Sequence, residues 1–118
     1  MCIRDRYTIT DSINASGLND GEYIFAKNNI KKENDSVKIK SDGTLAGSIV
    51  TMDQTFKNLI SMNFSLEEAV ALTSYNASKY LNLNNVGIIQ KNFLSNFLIL
   101  DKEFNLKEVY LRGKKINV

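Results

Sequence analysis

The chain has 118 residues, of which 43% are apolar, and its 15 Lys and Arg against 13 Asp and Glu give a formal net charge of +2. This length suits one small domain, and the balanced charge argues against electrostatic capture of nucleic acid or of an anionic membrane. Because the sequence has no histidine and only one cysteine, Cys2, it excludes an internal disulfide and a histidine metal site made from these residues alone.

A short strand followed by an aspartate opens the predicted order of elements. Residues 7–9 favour β structure, and Asp11 comes two positions later, followed by small and polar residues as far as Gly17. An aspartate that follows a strand usually forms a turn or caps a helix. Taken alone, the position of Asp11 therefore marks a candidate residue without assigning a function to it.

Two further strands are predicted before the first helix. Residues 22–26 follow an Asp-Gly turn, and Val37 and Ile39 alternate with lysines. We predict a mobile loop over residues 28–36, because they are mostly polar. Residues 44–48 are small and precede a helical pattern, so the sequence predicts that another group approaches this backbone closely.

Three helices are predicted in the middle of the chain. Apolar residues recur at helical spacing over residues 52–62, and Thr51 has the place of an N-cap. Ser65 and Glu68 have the spacing of a capping box, which predicts the start of a second helix. Asn76 is predicted to cap a short third helix.

The last third of the chain returns to β structure. Short β-favouring runs occupy residues 86–89, 97–100, 109–112 and 115–118, and the last two predict a hairpin around Gly113. The first predicted strand has no sequential partner, and complete domains usually cover unpaired strand edges. We therefore expect the chain to be a piece of a larger protein.

Several segments, in a fixed order, resemble a known family. They are Thr10-Asp11, Ala15-Ser16-Gly17-Leu18-Asn19-Asp20-Gly21-Glu22-Tyr23, Asp42-Gly43-Thr44-Leu45-Ala46-Gly47-Ser48, Thr51-Met52, Asn76-Ala77-Ser78 and Val109-Tyr110-Leu111-Arg112-Gly113-Lys114. Together they resemble the C-terminal part of the N-acetylglucosamine-6-phosphate deacetylase family, within the amidohydrolase superfamily. The resemblance runs from about residue 7 to the end of the chain, and residues 43–48 are its most specific segment.

The resemblance implies an α/β fold. The chain would be the C-terminal fragment of a (β/α)8 metal-dependent hydrolase barrel together with strands of the small β-sandwich that accompanies it. Residues 1–82 would hold the last barrel strand, the substrate loop and the late helices, and residues 83–118 the C-terminal strands of the sandwich. Active sites of such barrels lie at the C-terminal ends of the strands, where Asp11 would lie. Residues 1–6 do not resemble the family, and we expect an artificial or truncated start.

The resemblance also implies a catalytic role for Asp11. In the family, the matching aspartate takes a proton from metal-activated water and then gives one to the departing sugar amine. The backbone around Leu45, Ala46 and Gly47 matches the loop that contacts the substrate. The divalent metal, of zinc or iron type, would be bound by Glu and His residues outside this chain. We therefore expect no metal site in the chain and no activity from the fragment alone.

The implied substrate is a small amino sugar phosphate. N-acetylglucosamine 6-phosphate would be hydrolysed to glucosamine 6-phosphate and acetate by an enzyme expected to be a homo-oligomer. No apolar run approaches the roughly 20 residues of a spanning helix, and the N-terminal residues lack the apolar centre of a secretory signal. We expect a cytoplasmic protein without a membrane or nucleic-acid partner.

Two other classes of function remain open from the sequence. The chain could belong to another amidohydrolase with a similar C-terminal layout, such as a deaminase or a cyclic-amidase relative. It could also be a non-catalytic folding or interaction module that binds a partner through unpaired strand edges.

Overall fold

A computed structural model describes residues 6–117 of the chain as a mixed α/β structure with two small antiparallel sheets. The described residues fall into two compact units, Ile9–Gln54 and residues 6–8 with 55–117. In chain order, the elements are β1 (Gly21–Phe25), β2 (Asn28–Glu33), β3 (Ser36–Ile39), α1 (Met52–Ser61), α2 (Leu66–Val70), a π-helical turn (Ala71–Tyr75), α3 (Asn76–Tyr80), β4 (Phe97–Leu100), β5 (Leu106–Leu111) and β6 (Lys114–Ile116).

The first unit, Ile9–Gln54, is built around the sheet β1-β2-β3. Tyr23, Ile30 and Ile39 face one another across the three strands, and Ile30 is fully buried. Complete burial of a side chain of this size stabilises a fold by about 1.5–3 kcal/mol. The core of the unit consists of Ile13, Ala15, Ile30, Val37 and Ala46.

Strand β2 corrects the prediction of a mobile loop over residues 28–36. This segment is paired on both sides, to β1 and to β3. The turn before β2 consists of Ala26 and Lys27, both with positive φ (46° and 68°), a turn that usually carries Asn-Gly or Asp-Gly. The usual hairpin signal is missing from the sequence, and the strand is mostly polar outside Ile30. The prediction was therefore wrong.

The second unit packs helices against a sheet. Phe56, Leu59, Ala69 and Leu72 form its core, with Leu100 and Phe104 packed against them. In the sheet β4-β5-β6, the rings of Phe97 and Tyr110 stack at 4.6 Å between centroids. The predicted helices over 52–62 and after Ser65, the strand at 97–100 and the hairpin around Gly113 are confirmed.

Helices α2 and α3 form one continuous helical run through the π-helical turn. Asn76 has helical dihedral angles, φ −65° and ψ −37°, so the prediction that it caps a separate helix was wrong. Its side-chain amide instead donates a hydrogen bond to the carbonyl of Arg6 at 2.6 Å. A π-helical turn leaves a carbonyl without its usual helical partner. The carbonyl of Leu72 accepts hydrogen bonds from the backbone N–H and the hydroxyl of Thr8, at 2.8 Å and 3.1 Å.

Two further strand predictions were wrong. Within the described residues, 7–9 form no strand pairing, and 86–89 are irregular, with bends at residues 87 and 88. Thr8 is hydrogen-bonded to Leu72 of the helical run instead. Gly87 lies so close to Ser78 that a Cβ on Gly87 would be 2.2 Å from the hydroxyl oxygen of Ser78. The expected artificial or truncated start concerns residues 1–6, and residues 1–5 lie outside the described part of the chain. No helix among residues 6–117 is long and apolar enough to cross a membrane.

Candidate functional site

Asp11 lies on the surface of the first unit in an unusual backbone conformation. Its side chain is exposed, and its φ of 49° lies in the left-handed region. This region is disfavoured for residues with a Cβ, although aspartate and asparagine tolerate it better than most. A residue remains in such a conformation only where its surroundings hold it there.

Two backbone hydrogen bonds hold the Asp11 segment against a remote segment. The N–H of Ser48 donates to the carbonyl of Asp11 at 2.9 Å, and the N–H of Ile13 donates to the carbonyl of Ser48 at 3.0 Å. Ser12 and Ser48 thereby form a short parallel bridge. We call this pairing of residues 11–13 with 47–48 the Asp11 clamp. The buried side chain of Ile13 fixes one side of the clamp to the core.

Gly47 lies directly beside Asp11. It has a φ of 72°, and a Cβ built on it would lie 2.7 Å from Cγ2 of Ile13 and 3.1 Å from the carbonyl oxygen of Asp11. The same point is 3.7 Å from Oδ2 of Asp11. The structure thus brings the predicted catalytic carboxylate next to one of the three predicted substrate-contacting residues.

The other two predicted substrate-contacting residues have different environments. Ala46 is 6% exposed and belongs to the core of the unit, where its N–H donates to the carbonyl of Val37 at 3.0 Å. Leu45 is 66% exposed and pairs with Lys38 in an antiparallel bridge. Ala46 therefore serves packing, and Leu45 is the member of this segment whose apolar side chain is open to another molecule. The roles given to Asp11, Leu45, Ala46 and Gly47 stay predictions.

Ile13 and Ser48 are the site residues that sequence reasoning missed. Neither has a side chain with distinctive chemistry, and they act mainly through backbone atoms. The hydroxyl of Ser48 accepts a hydrogen bond from the N–H of Val50 at 3.0 Å, and the hydroxyl of Ser16 donates to the carbonyl of Ile49 at 3.1 Å. These bonds fix the residues that follow the clamp. The only signal in the sequence was the small, turn-like composition of residues 44–48.

The donor atoms present do not by themselves fit a divalent metal. Among residues 6–117, no three His, Cys, Asp or Glu side chains lie close enough together to hold an ion. Asp11 offers a single carboxylate, whereas zinc sites in enzymes use three protein ligands. What Asp11 can do with its own atoms is accept and donate a proton.

The chain is similar to known proteins over almost its whole length. The family model described as "Amidohydrolase family" matches residues 8–116. The chain is 35% identical over 107 residues to an N-acetylglucosamine-6-phosphate deacetylase of Lysinibacillus sphaericus, a match that covers 90% of the chain and 27% of that protein. The crystal structure of the N-acetylglucosamine-6-phosphate deacetylase of Thermotoga maritima matches with a TM-score of 0.89 and 29% identity, over 96% of the chain and 31% of the other.

Adenine deaminase of Clostridium perfringens is similar over a shorter part of the chain. It is 29% identical over 80 residues, which are 64% of the chain and 14% of that protein. The chain spans less than a third of the length of each of these three relatives.

Proposed function

The chain belongs to the amidohydrolase family. We propose that it is the C-terminal part of a deacetylase, which hydrolyses N-acetylglucosamine 6-phosphate to glucosamine 6-phosphate and acetate. The 35% identity to one such deacetylase and the TM-score of 0.89 to another support this proposal. In the proposed enzyme, residues 1–82 belong to a (β/α)8 barrel and residues 83–118 to a small β-sandwich. We also propose that the enzyme is a cytoplasmic homo-oligomer.

The proposal rests chiefly on one observation, the exposed Asp11 whose backbone the Asp11 clamp holds beside Gly47. Amide hydrolysis needs a group that takes a proton from the attacking water and returns one to the nitrogen that leaves as an amine. A carboxylate performs both steps in turn, as base while ionised and as acid once protonated. Because Asp11 is exposed and its backbone is hydrogen-bonded to Ser48, its side chain is accessible to a substrate and starts from a fixed backbone position.

Members of the amidohydrolase superfamily are generally metal-dependent, and we propose a divalent metal of zinc or iron type for the whole enzyme. The acidic residues described here do not form a metal site, so the ligands of that metal would come from residues outside this chain. The steps assigned to Asp11 therefore concern only proton transfer by its own carboxylate.

Exposed Leu45 is proposed to contact the substrate, together with the backbone of residues 46 and 47. An exposed apolar side chain suits the methyl group of an acetamide, because burying that methyl group is favourable. Such a contact acts on substrate binding and leaves the proton transfer to Asp11.

The test is the substitution Asp11→Asn in the enzyme expressed from its complete reading frame. We expect kcat for acetate release from N-acetylglucosamine 6-phosphate to fall by about 10²–10⁴-fold, because an amide cannot accept and return the proton. Metal content should remain that of the wild type. Asp35→Asn, which removes an exposed carboxylate from the turn between β2 and β3, is the matched control and should leave kcat unchanged. Near-normal turnover by Asp11→Asn would remove Asp11 from the mechanism.

A deaminase is the second candidate, since an adenine deaminase is similar to 64% of the chain. Replacement of an exocyclic amine by water needs the same transfer of a proton to a departing nitrogen. The two candidates differ in their products. Incubation of the complete enzyme with N-acetylglucosamine 6-phosphate and, separately, with adenine distinguishes them, because only a deacetylase releases acetate from the first and only a deaminase releases ammonia from the second.

A further inference from the structure

The space around Gly47 is occupied by the chain itself. A Cβ on Gly47 would lie 2.7 Å from Cγ2 of Ile13, closer than real Cβ atoms approach another atom, and 3.1 Å from the carbonyl oxygen of Asp11, which is a tight contact. On this side, the absence of a side chain makes room for the Asp11 segment. The proposed contact of a substrate with this backbone does not by itself explain why residue 47 has no side chain.

Positive φ alone does not distinguish Gly47 from other glycines of the same unit. Gly17 and Gly43 have φ values of 75° and 74°, and a Cβ built on either has no atom within 4 Å. The backbone conformation favours glycine at all three positions. Only at Gly47 would a side chain also collide with the chain around the candidate catalytic residue.

We propose that Gly47 is a positioning residue for Asp11. Its bare Cα allows residues 47–48 to pair with residues 11–13, and this pairing holds the backbone of Asp11 in its left-handed conformation. Gly47 then acts on catalysis through the placement of the Asp11 carboxylate. The proposal rests on the proposed function of Asp11 as the proton-transfer group.

A methyl group at Gly47 has two ways to be accommodated. Either Ile13 moves, although its side chain is buried in the core and its N–H is bonded to Ser48, or residues 47–48 move away from Asp11. The second movement lengthens the 2.9 Å hydrogen bond from Ser48 to the carbonyl of Asp11. Both shift the carboxylate, and a misplacement of about 1 Å can lower a catalytic rate by about 100-fold.

The first experiment compares Gly47→Ala with Gly43→Ala in the complete enzyme. Both variants place alanine at the same kind of φ, and only at Gly47 does the new Cβ collide with neighbouring atoms. We expect Gly47→Ala to lower kcat for acetate release by about 100-fold with KM within about twofold of the wild type. Gly43→Ala should retain the wild-type kcat. If Gly47→Ala raises KM and leaves kcat unchanged, Gly47 acts on substrate binding and the proposal is overturned.

A second substitution tests the collision directly. Ile13→Leu keeps the side-chain volume, a change that cores tolerate well, and removes the Cγ2 methyl group that the new Cβ would meet. We expect the double variant Gly47→Ala with Ile13→Leu to regain at least about tenfold in kcat over Gly47→Ala. If Gly47→Ala alone is recovered unfolded, the double variant should restore both folding and turnover. A double variant that restores neither would contradict the proposal.

Hydrogen exchange provides a readout that does not depend on activity. The backbone N–H groups of Ser48 and Ile13 form the clamp, and we expect both to exchange at least about tenfold faster in Gly47→Ala than in the wild type or in Gly43→Ala. Unchanged exchange at these two groups would overturn the proposal even if kcat falls.

The two proposals can fail separately. If Asp11→Asn keeps normal turnover while exchange is faster in Gly47→Ala, the proposed function fails, and the Asp11 clamp has a structural role only. If Asp11→Asn abolishes turnover and Gly47→Ala does not reduce kcat, only the present proposal fails.

Discussion

At the scale of single residues, the carboxylates of Asp11 and Asp101 have opposite surroundings. The side chain of Asp11 is exposed, and its backbone makes the contacts that place it. The carboxylate of Asp101 accepts hydrogen bonds from the N–H groups of Glu103 and Asn105 at 3.0 Å and 2.8 Å, and lies 3.1 Å from the ammonium of Lys107. Asp101 uses its carboxylate for hydrogen bonds and an ion pair within the chain, and so stabilises a turn. The exposed carboxylate of Asp11 is available to another molecule.

The hydrogen bonds from Asn105, followed by the contact with Lys107, hold the pKa of Asp101 well below the usual range of an aspartate. A carboxyl group with a lowered pKa in the folded state contributes stability above the pKa it has when unfolded, and loses that contribution as the pH falls toward the folded value. We therefore expect the contribution of Asp101 to the free energy of unfolding to be constant above about pH 5 and to decline below about pH 4.

Denaturant unfolding at a series of pH values measures this contribution in the wild type and in Asp101→Asn. The variant should be less stable at neutral pH, and its stability should decline less steeply between about pH 4 and pH 2, because the titrating group is gone. Asp35→Asn serves as the control for loss of an exposed carboxylate. Equal acid dependence in Asp101→Asn and the wild type would contradict the assignment.

At the scale of elements, two hairpins differ in whether the residue types of the turn predict it. The turn between β5 and β6 consists of Arg112 and Gly113, with φ of 50° and 76°. Gly113 predicts this turn from the sequence, because glycine adopts positive φ readily. The turn between β1 and β2 has the same signs of φ at Ala26 and Lys27, yet neither residue type is typical of it. Its conformation is stabilised by the pairing of the strands and by the burial of Ile30.

The start of α2 is the element boundary that local sequence determines most completely. The hydroxyl of Ser65 accepts the N–H of Glu68 at 3.2 Å, and the carboxylate of Glu68 accepts the N–H of Ser65 at 2.9 Å. Both partners lie within four residues, so the capping box forms without help from distant parts of the chain.

Ser65→Ala should destabilise the fold by about 1 kcal/mol, because an N–H at the helix start loses its partner. Thermal unfolding should show a decrease in Tm of about 4–8 °C per kcal/mol for a unit of this size. Ser61→Ala is the matched control, since the hydroxyl of Ser61 only donates to the carbonyl of Asn58 within the preceding helix. An unchanged Tm in Ser65→Ala, or an equal decrease in both variants, would be inconsistent with the cap.

At the scale of the whole molecule, all the proposed site residues lie in one of the two compact units. Asp11, the clamp and the substrate-contacting segment all lie in the unit Ile9–Gln54. The other unit holds the helical run and the sheet β4-β5-β6. The residues that hold the proposed metal have no counterpart among the described residues of either unit.

We expect the purified 118-residue chain to release no acetate from N-acetylglucosamine 6-phosphate, even with added zinc. The chain has no histidine, and three protein ligands are needed to leave a catalytic zinc with an open position. The assay compares it with the enzyme from the complete reading frame under the same conditions. Acetate release that scales with the concentration of the short chain and disappears in its Asp11→Asn variant would falsify the expectation.

Local sequence patterns are sufficient to predict the features that depend on neighbouring residues. The capping box at Ser65, the hairpin at Gly113 and the helix at Met52–Ser61 all follow from patterns a few residues long. The choice of Asp11 and Gly47 as site residues came from an ordered set of motifs, which also names the family.

The way these residues meet depends on contacts between distant parts of the chain. Asp11 and Gly47 are far apart in the chain, and they become neighbours because Ile13 and Ala46 bury their side chains in one core. Strand β2 forms from a polar segment because its two neighbours pair with it. Long-range pairing of this kind leaves no local pattern, since the stabilising contacts come from distant residues. The reason for a glycine at position 47 is therefore visible only in three dimensions.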